Sequence, residues 1–271
     1  MKPVIYLLLL LSQLLLHSNL VVAAGNEYPG RKLYLAVPVI ELDDLYNKRK
    51  SSVIVDVRSA YEFNTLRIKN ALNIPLSDDD FISKMKRLRE ASGGNPIVVY
   101  CNGKTCLKSY KAVAKCRSNN INNVIAYDAG MMDWARKYPD ESVLLGKSPI
   151  NPDRLISKAN FNKHLLNPKE FEAMVGGDNV IVLDVRDQFQ REGISIFVKK
   201  EKRAPLDAQA TVDKYIQEAK QDNRVLLIYD QAGKQVEWLM YHLEDKGLRS
   251  YYFMKGGARA YFEELRKEFV R

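Results

Sequence analysis

Two thiols, Cys101 and Cys106, bracket the segment Asn102-Gly103-Lys104-Thr105, directly after the apolar run Pro96–Tyr100. A cysteine placed where a buried strand turns into a helix has two physical advantages. Loop N–H groups can curl around its sulfur, with Gly103 free to adopt dihedrals closed to other residues. The helix that follows turns its positive N-terminal end to the same place. Both favour thiolate over thiol, and the thiolate is the nucleophile. Lys104 and Lys108 add positive charge nearby. The bland alternative is that Cys101 is a small buried apolar residue at a strand end, since free cysteines are often buried and inert. Cys106 is open to two readings: a redox partner of Cys101, or a side chain turned into helix packing. A disulfide needs Cα atoms within about 7 Å and suitable Cβ directions. Cys116, among Ala112, Val113 and Ala114, reads as core.

Other chemistries fit these residues poorly. The three histidines are His17, His164 and His242, none close to the thiols in sequence, so a Cys-His hydrolase is disfavoured. Three cysteines with no suitably spaced histidine make a poor tetrahedral zinc set. No metal and no organic cofactor is implied.

The loop needs a scaffold, and short unbroken apolar runs between amphipathic segments supply one. The pattern predicts helices over Glu41–Lys50, Asp78–Ala91, Lys104–Ser118 and Met131–Tyr138. Between them it predicts strands over Val53–Val57, Ile97–Tyr100 and Val124–Tyr127. Later come helices Pro168–Val175, Ala208–Gln221, Gln235–Asp245 and Ala258–Phe269, with strands Val180–Val185, Val225–Tyr229 and Tyr251–Met254. Strands apolar throughout indicate a parallel sheet covered on both faces, an α/β fold in which ligands bind beyond the strands' carboxyl ends.

The chain also repeats itself. Asp184-Val185-Arg186 lies 128 residues after Asp56-Val57-Arg58, and the apolar run ending at Tyr229 lies 129 after that ending at Tyr100. Gly256-Gly257 through Tyr261 returns the pattern of Ala129-Gly130 through Trp134 at an offset of 127. The reading is two copies of one α/β domain, at residues 30–145 and 156–271, joined by a Gly- and Pro-bearing linker at 146–155.

Apolar types make up 46% of the 271 residues and charged types 28%, which excludes a disordered chain and a polytopic membrane protein. The net charge of +9 is scattered, with Lys199-Lys200-Glu201-Lys202-Arg203 the densest cluster, so no nucleic-acid partner is expected. The first residues read as a signal peptide. Lys2 precedes an apolar run from Val4 to Leu16, and small residues occupy Ala23, Ala24 and Gly25. Cleavage is expected after Ala24, removing residues 1–24 and delivering a periplasmic or secreted protein with no stable membrane insertion. An uncleaved anchor fits less well, because the run is shorter than the ~20 residues a span needs.

Several of these segments together resemble the rhodanese domain. They are Asp56-Val57-Arg58-Ser59-Ala60-Tyr61-Glu62-Phe63, Asn70-Ala71-Leu72-Asn73-Ile74-Pro75, Val98-Val99-Tyr100-Cys101, and Gly130 through Trp134. The resemblance covers the chain after the leader as a tandem pair of rhodanese-like domains, each a parallel sheet with helices on both faces. It implies a sulfurtransferase in which Cys101 takes a sulfane sulfur from a small anionic donor such as thiosulfate. The persulfide then passes its outer sulfur to cyanide, a thiol or a partner-protein thiol. It makes Asn102, Gly103, Lys104, Thr105 and Cys106 the active loop. Asp56 and Arg58, at a strand end near the active edge, read either as setting the loop's hydrogen bonds or as an internal ion pair with Glu62, and Lys108 as supporting positive charge. Leu66-Arg67-Ile68 and Asn70-Ala71 depart from the family's usual Gly-His-Ile and Gly-Ala. The loop also lacks the closing Arg of the related phosphatases.

In the second copy the cysteine position holds Asp230, and a carboxylate cannot carry sulfane sulfur. That domain reads as catalytically silent. A sharper alternative makes Asp230 a pseudo-site for a cation or a partner. Two rival functions are weighed for the whole chain: a non-enzymatic sulfur carrier, and a thiol-disulfide sensor built on Cys101 and Cys106.

Overall fold

In the computed structural model, which describes residues 28–191 and 194–269, the apolar runs form strands buried on both faces. The chain divides into two compact units between Pro152 and Asp153. The leader expected over residues 1–24 lies outside the described residues.

The first unit contains β1 (Val39–Ile40), β2 (Val53–Asp56), β3 (Leu66–Ile68), β4 (Leu72–Asn73), β5 (Ile97–Tyr100), β6 (Val124–Tyr127) and β7 (Ser142–Leu144). Its main sheet has the order β1-β6-β5-β2-β4, with every pair parallel. β3 and β7 pair antiparallel as a separate ribbon. The second unit contains β8 (Leu165–Leu166), β9 (Val180–Asp184), β10 (Glu201–Arg203), β11 (Val225–Tyr229) and β12 (Tyr251–Met254). Its parallel sheet, β8-β12-β11-β9-β10, is the first sheet over again. Register follows the repeat, with Asp56 beside Tyr100 in one sheet and Asp184 beside Tyr229 in the other. The tandem α/β architecture read from the sequence is the observed one.

The helix boundaries have local causes. Ser59 and Glu62 form a capping box that opens the helix Ala60–Thr65, and Asn167 and Glu170 form another ahead of Pro168–Val175. Glu41–Lys50 resolves into an α-helix over Leu42–Lys48 and a tighter turn over Arg49–Ser51. The helix expected over Lys104–Ser118 spans Lys108–Arg117 instead. The Cys106 N–H bonds back to the Gly103 carbonyl at 2.8 Å, which closes a turn where the helix was expected to be under way. No helix among the described residues is long and apolar enough to cross a membrane.

The core of the first unit lies under β2, β5 and β6 and takes in Val55, Phe81, Met85, Val99, Val113 and Cys116. Cys116 is buried there, as its neighbours in sequence indicated, and burial pushes its thiol up to about 11. Trp134, fully buried, packs among the rings of Tyr46, Tyr127 and Tyr138 and donates its indole N–H to the Glu141 carbonyl at 3.1 Å. Trp134→Ala removes that ring from a site that cannot collapse fully. We expect a loss of about 3–5 kcal/mol from the first unit in denaturant unfolding. A loss below about 1 kcal/mol would mean that the neighbouring tyrosines close the cavity.

Candidate active site

Asp56 ends β2, and its side chain meets Arg58 two residues on. Both side chains are fully buried, and Arg58 Nη2 lies 2.6 Å from Asp56 Oδ2. Arg58 Nε adds a bond of 2.9 Å to Asp56 Oδ1, and Nη2 also donates to the Leu66 carbonyl at 2.6 Å. Desolvation would lower the guanidinium's pKa, but the Asp56 carboxylate outweighs it and keeps the charge in place. The remaining arm, Arg58 Nη1, reaches the active loop at Asn102 Oδ1, 3.1 Å away. Asn102 in turn donates its amide N–H to Glu62 Oε1 at 2.8 Å. Glu62 is the capping-box carboxylate and is itself buried. Burial alone would raise its pKa. Lys108, Arg58, the Asn102 amide and the Ser59 N–H reverse that and hold it below the usual glutamate range. Lys108 Nζ stands 3.6 Å from Glu62 Oε2. A polar chain of Asp56, Arg58, Asn102, Glu62 and Lys108 therefore ties the strand end to both ends of the loop.

The residues named from the sequence come together, in unequal roles. Cys101 follows β5 and is fully buried. Its sulfur lies 3.4 Å from the Cys106 carbonyl oxygen and 3.7 Å from Ser109 Oγ. Burial pushes its thiol well above the ordinary range, and the hydrogen bond with Cys106 adds to the shift. This differs from the expected cradle: the backbone N–H that meets the Cys101 sulfur is that of Ser109, inside the helix. Cys106 is half-buried and shifted the other way. The Cys101 thiol beside its sulfur, the N–H groups of Lys108 and Asn102, and the Lys108 charge outweigh desolvation and pull it down to about 6. Both cysteines are free thiols. Lys104, read from sequence as positive charge beside the thiols, is 3.4 Å from Asp133 and lies over the Tyr28 ring. Thr105 is exposed at the loop's tip, and Gly103 lies against Ala129 and Gly130 at the start of the helix Gly130–Lys137.

Sequence reasoning left the role of Glu62 open, although Ser59-x-x-Glu62 is a capping-box pattern, and it missed two further supports. Ser109 carried no signal. Gly130 was quoted only as part of a motif, yet it presses on the loop with φ +78°. A Cβ there would stand 2.3 Å from the Cα and N of Gly103, backbone atoms that cannot swing aside. Gly257, at φ +63°, makes the same contact with the loop of the second unit.

In that second loop the Asp230 carboxylate accepts from the backbone N–H groups of Ala232, Gly233, Lys234, Gln235 and Val236. Its oxygens turn inward to the loop's own backbone, which speaks against the cation pseudo-site. Asp184 and Arg186 repeat the buried pair at 2.7 Å. Among the described residues no group of three or more His, Cys, Asp or Glu side chains gathers to hold a metal.

The rhodanese-like domain family model matches residues 39–137, from β1 through the helix that carries Gly130 and Trp134. The first unit is a rhodanese-like domain. The second unit repeats its fold beyond the matched residues. Over 110 residues the chain is 29% identical to the tRNA uridine(34) hydroxylase of Escherichia coli O6:K15:H31 (strain 536 / UPEC). That match covers 38% of this chain and only 30% of that protein. Among solved structures, a rhodanese-related protein from Thermoplasma volcanium is 22% identical with a TM-score of 0.29, covering 37% of this chain and 93% of its own. A thiosulfate sulfurtransferase from Pseudomonas aeruginosa is 19% identical with a TM-score of 0.33, covering 83% of this chain and 44% of its own.

Two outcomes test this architecture. Gly130→Ala should displace the loop of the rhodanese-like domain, so that the low-pKa thiol disappears from a pH titration of alkylation while far-UV circular dichroism stays unchanged. An unaltered titration would show that the Gly130 contact does not set the loop. Asp230→Asn puts an amide N–H₂ against a ring of N–H donors. It should lower the stability of the second unit by about 1–3 kcal/mol in denaturant unfolding. Equal stability of variant and wild type would deny the carboxylate its structural role.

Proposed function

We propose that this protein is a sulfurtransferase whose rhodanese-like domain moves sulfane sulfur from a small anionic donor such as thiosulfate to cyanide or a thiol. One observation carries the reading. A strand-to-helix loop holds two neighbouring thiols, Cys101 and Cys106, and a buried polar chain anchors it. The chemistry needs no metal. The thiolate attacks the outer sulfur of thiosulfate, the S–S bond breaks, and sulfite leaves with the bonding pair. Cyanide then takes the outer sulfur of the persulfide as thiocyanate, and the thiolate returns. Lys108 and the loop N–H groups are suited to hold the anions of both steps. The leader-like first residues support action outside the cytoplasm, with a partner-protein thiol among the acceptors.

A second reading, a thiol-disulfide switch, draws on the contact between Cys101 and Cys106. Intact-mass spectrometry separates the two. After thiosulfate we expect one added sulfur atom, lost on cyanide with release of thiocyanate, and absent from a Cys101→Ser/Cys106→Ser double variant. A wild type that gains no sulfur and instead becomes two hydrogens lighter sinks the sulfur-transfer reading in favour of the switch.

A further inference from the structure

The segment ahead of β1 ends up at the edge of the first sheet where the reactive loop sits. Tyr28 leads into the short helix Pro29–Leu33, and three contacts pin it. Arg31 Nε and Nη2 reach the two carboxylate oxygens of Asp128, just past β6, at 2.8 and 3.1 Å. Asp128 is buried and also accepts from the Tyr110 hydroxyl. Tyr34 stacks on the Tyr110 ring with centroids 5.6 Å apart, and Gly30 is buried against that ring, where a Cβ would collide with it. The anchor points are themselves neighbours of the loop's supports. Tyr110 follows Ser109, whose Oγ faces the Cys101 sulfur, and Asp128 lies two residues before Gly130, which presses on Gly103. Tyr28–Tyr34 is therefore a strap laid across the outside of the loop.

The strap delivers an aromatic ring to the loop. Lys104 is the only cation between the two thiols in sequence. Its Nζ lies 5.5 Å from the centroid of the Tyr28 ring, which also carries the Arg31 guanidinium at 4.2 Å. Asp133 stands 3.4 Å from the same Nζ but pairs with Arg136 at 3.2 Å as well, so it does not cancel the charge of Lys104. An aromatic face attracts an ammonium without neutralising it. The Lys104 side chain keeps 33% of its surface in solvent, whereas Cys101 is fully buried.

Resting on the sulfur-transfer reading, we infer that the strap is a working part of the active site, with Tyr28 a positioning residue that holds the Lys104 ammonium at the loop's mouth for the oxygen-bearing end of the anionic donor. Arg31, tied to Asp128, fixes the Tyr28 ring in turn. The physical need is plain. The donor is an anion and the attacking thiolate is another, so a cation between solvent and the thiol lowers the repulsion as the two approach. No bond forms or breaks at Lys104, which stays protonated throughout. The strap acts on donor binding and leaves the sulfur-transfer step itself to the loop.

Thiocyanate formation is measured against thiosulfate concentration at saturating cyanide. Tyr28 is only half-buried, so its replacement leaves the core intact. Tyr28→Leu should raise KM for thiosulfate by about two- to fivefold, the size of one exposed cation–π contact, with kcat unchanged. Tyr28→Phe keeps the ring and should match the wild type. Lys104→Gln should raise KM at least as much, and Tyr28→Leu should add nothing to it, because the two act through one contact. A merely structural strap would instead lower kcat or stability in both backgrounds, with no rescue by phenylalanine. An unchanged KM in Tyr28→Leu, a Tyr28→Phe as impaired as Tyr28→Leu, or full additivity with Lys104→Gln overturns the inference and leaves the sulfur-transfer reading standing. A wild type that forms no thiocyanate removes that reading. Titration calorimetry of the Cys101→Ser chain with thiosulfate then judges the strap alone. Binding weakened by Tyr28→Leu and kept by Tyr28→Phe sustains it, and binding that is absent or indifferent to Tyr28→Leu overturns it.

Discussion

The buried pair of Asp56 and Arg58 constrains everything around the loop. Two opposite charges with no solvent exposure persist because each completes the other's hydrogen bonds, and removing either one strands a charge in the core. The guanidinium's planar fork is what makes the arrangement possible. It binds Asp56 on one side, the Leu66 carbonyl on another, and still has an arm for Asn102. A lysine could supply the charge but not the three directions. The strand end, the β3 segment and the loop are therefore fixed by one side chain.

The second unit shows which part of that constraint belongs to the fold and which to the loop. Asp184 and Arg186 reproduce the pair, and Arg186 Nη2 reaches the Ile194 carbonyl at 2.8 Å as Arg58 reaches that of Leu66. The extension to the loop is not reproduced. Gln231 follows Asp230 as Asn102 follows Cys101, but its Oε1 is buried with no hydrogen-bond partner. The pair is thus part of the scaffold in both units, while the tether through Asn102 and Glu62 belongs to the unit that carries thiols.

Where the sequence was informative, the reason is local. β5, β6, β11 and β12 occupy the residues expected of them, because a continuous β-branched or aromatic run between polar turns has few other uses. The strands of two or three residues at the sheet edges and in the β3–β7 ribbon left no mark, since pairing across the fold creates them. The helix start at Lys108 rather than Lys104 was hidden by amphipathic spacing that continues through the loop. Spacing also drew attention to Cys101, the residue at the strand's end. It could not show that the chain would turn at Gly103 and bring the Cys106 sulfur back over it.

Asp230 gives the duplicated unit a fixed internal occupant. Its carboxylate projects one bond further than a cysteine sulfur, about as far as the outer atom of a persulfide, and carries the same single negative charge. The loop of the second unit is therefore held as if permanently loaded, by an occupant that the main chain cannot release. A visiting anion would have to compete with a covalently attached one at high effective concentration. The shape of such a loop thus depends on a charge at its centre, and here that charge is part of the chain.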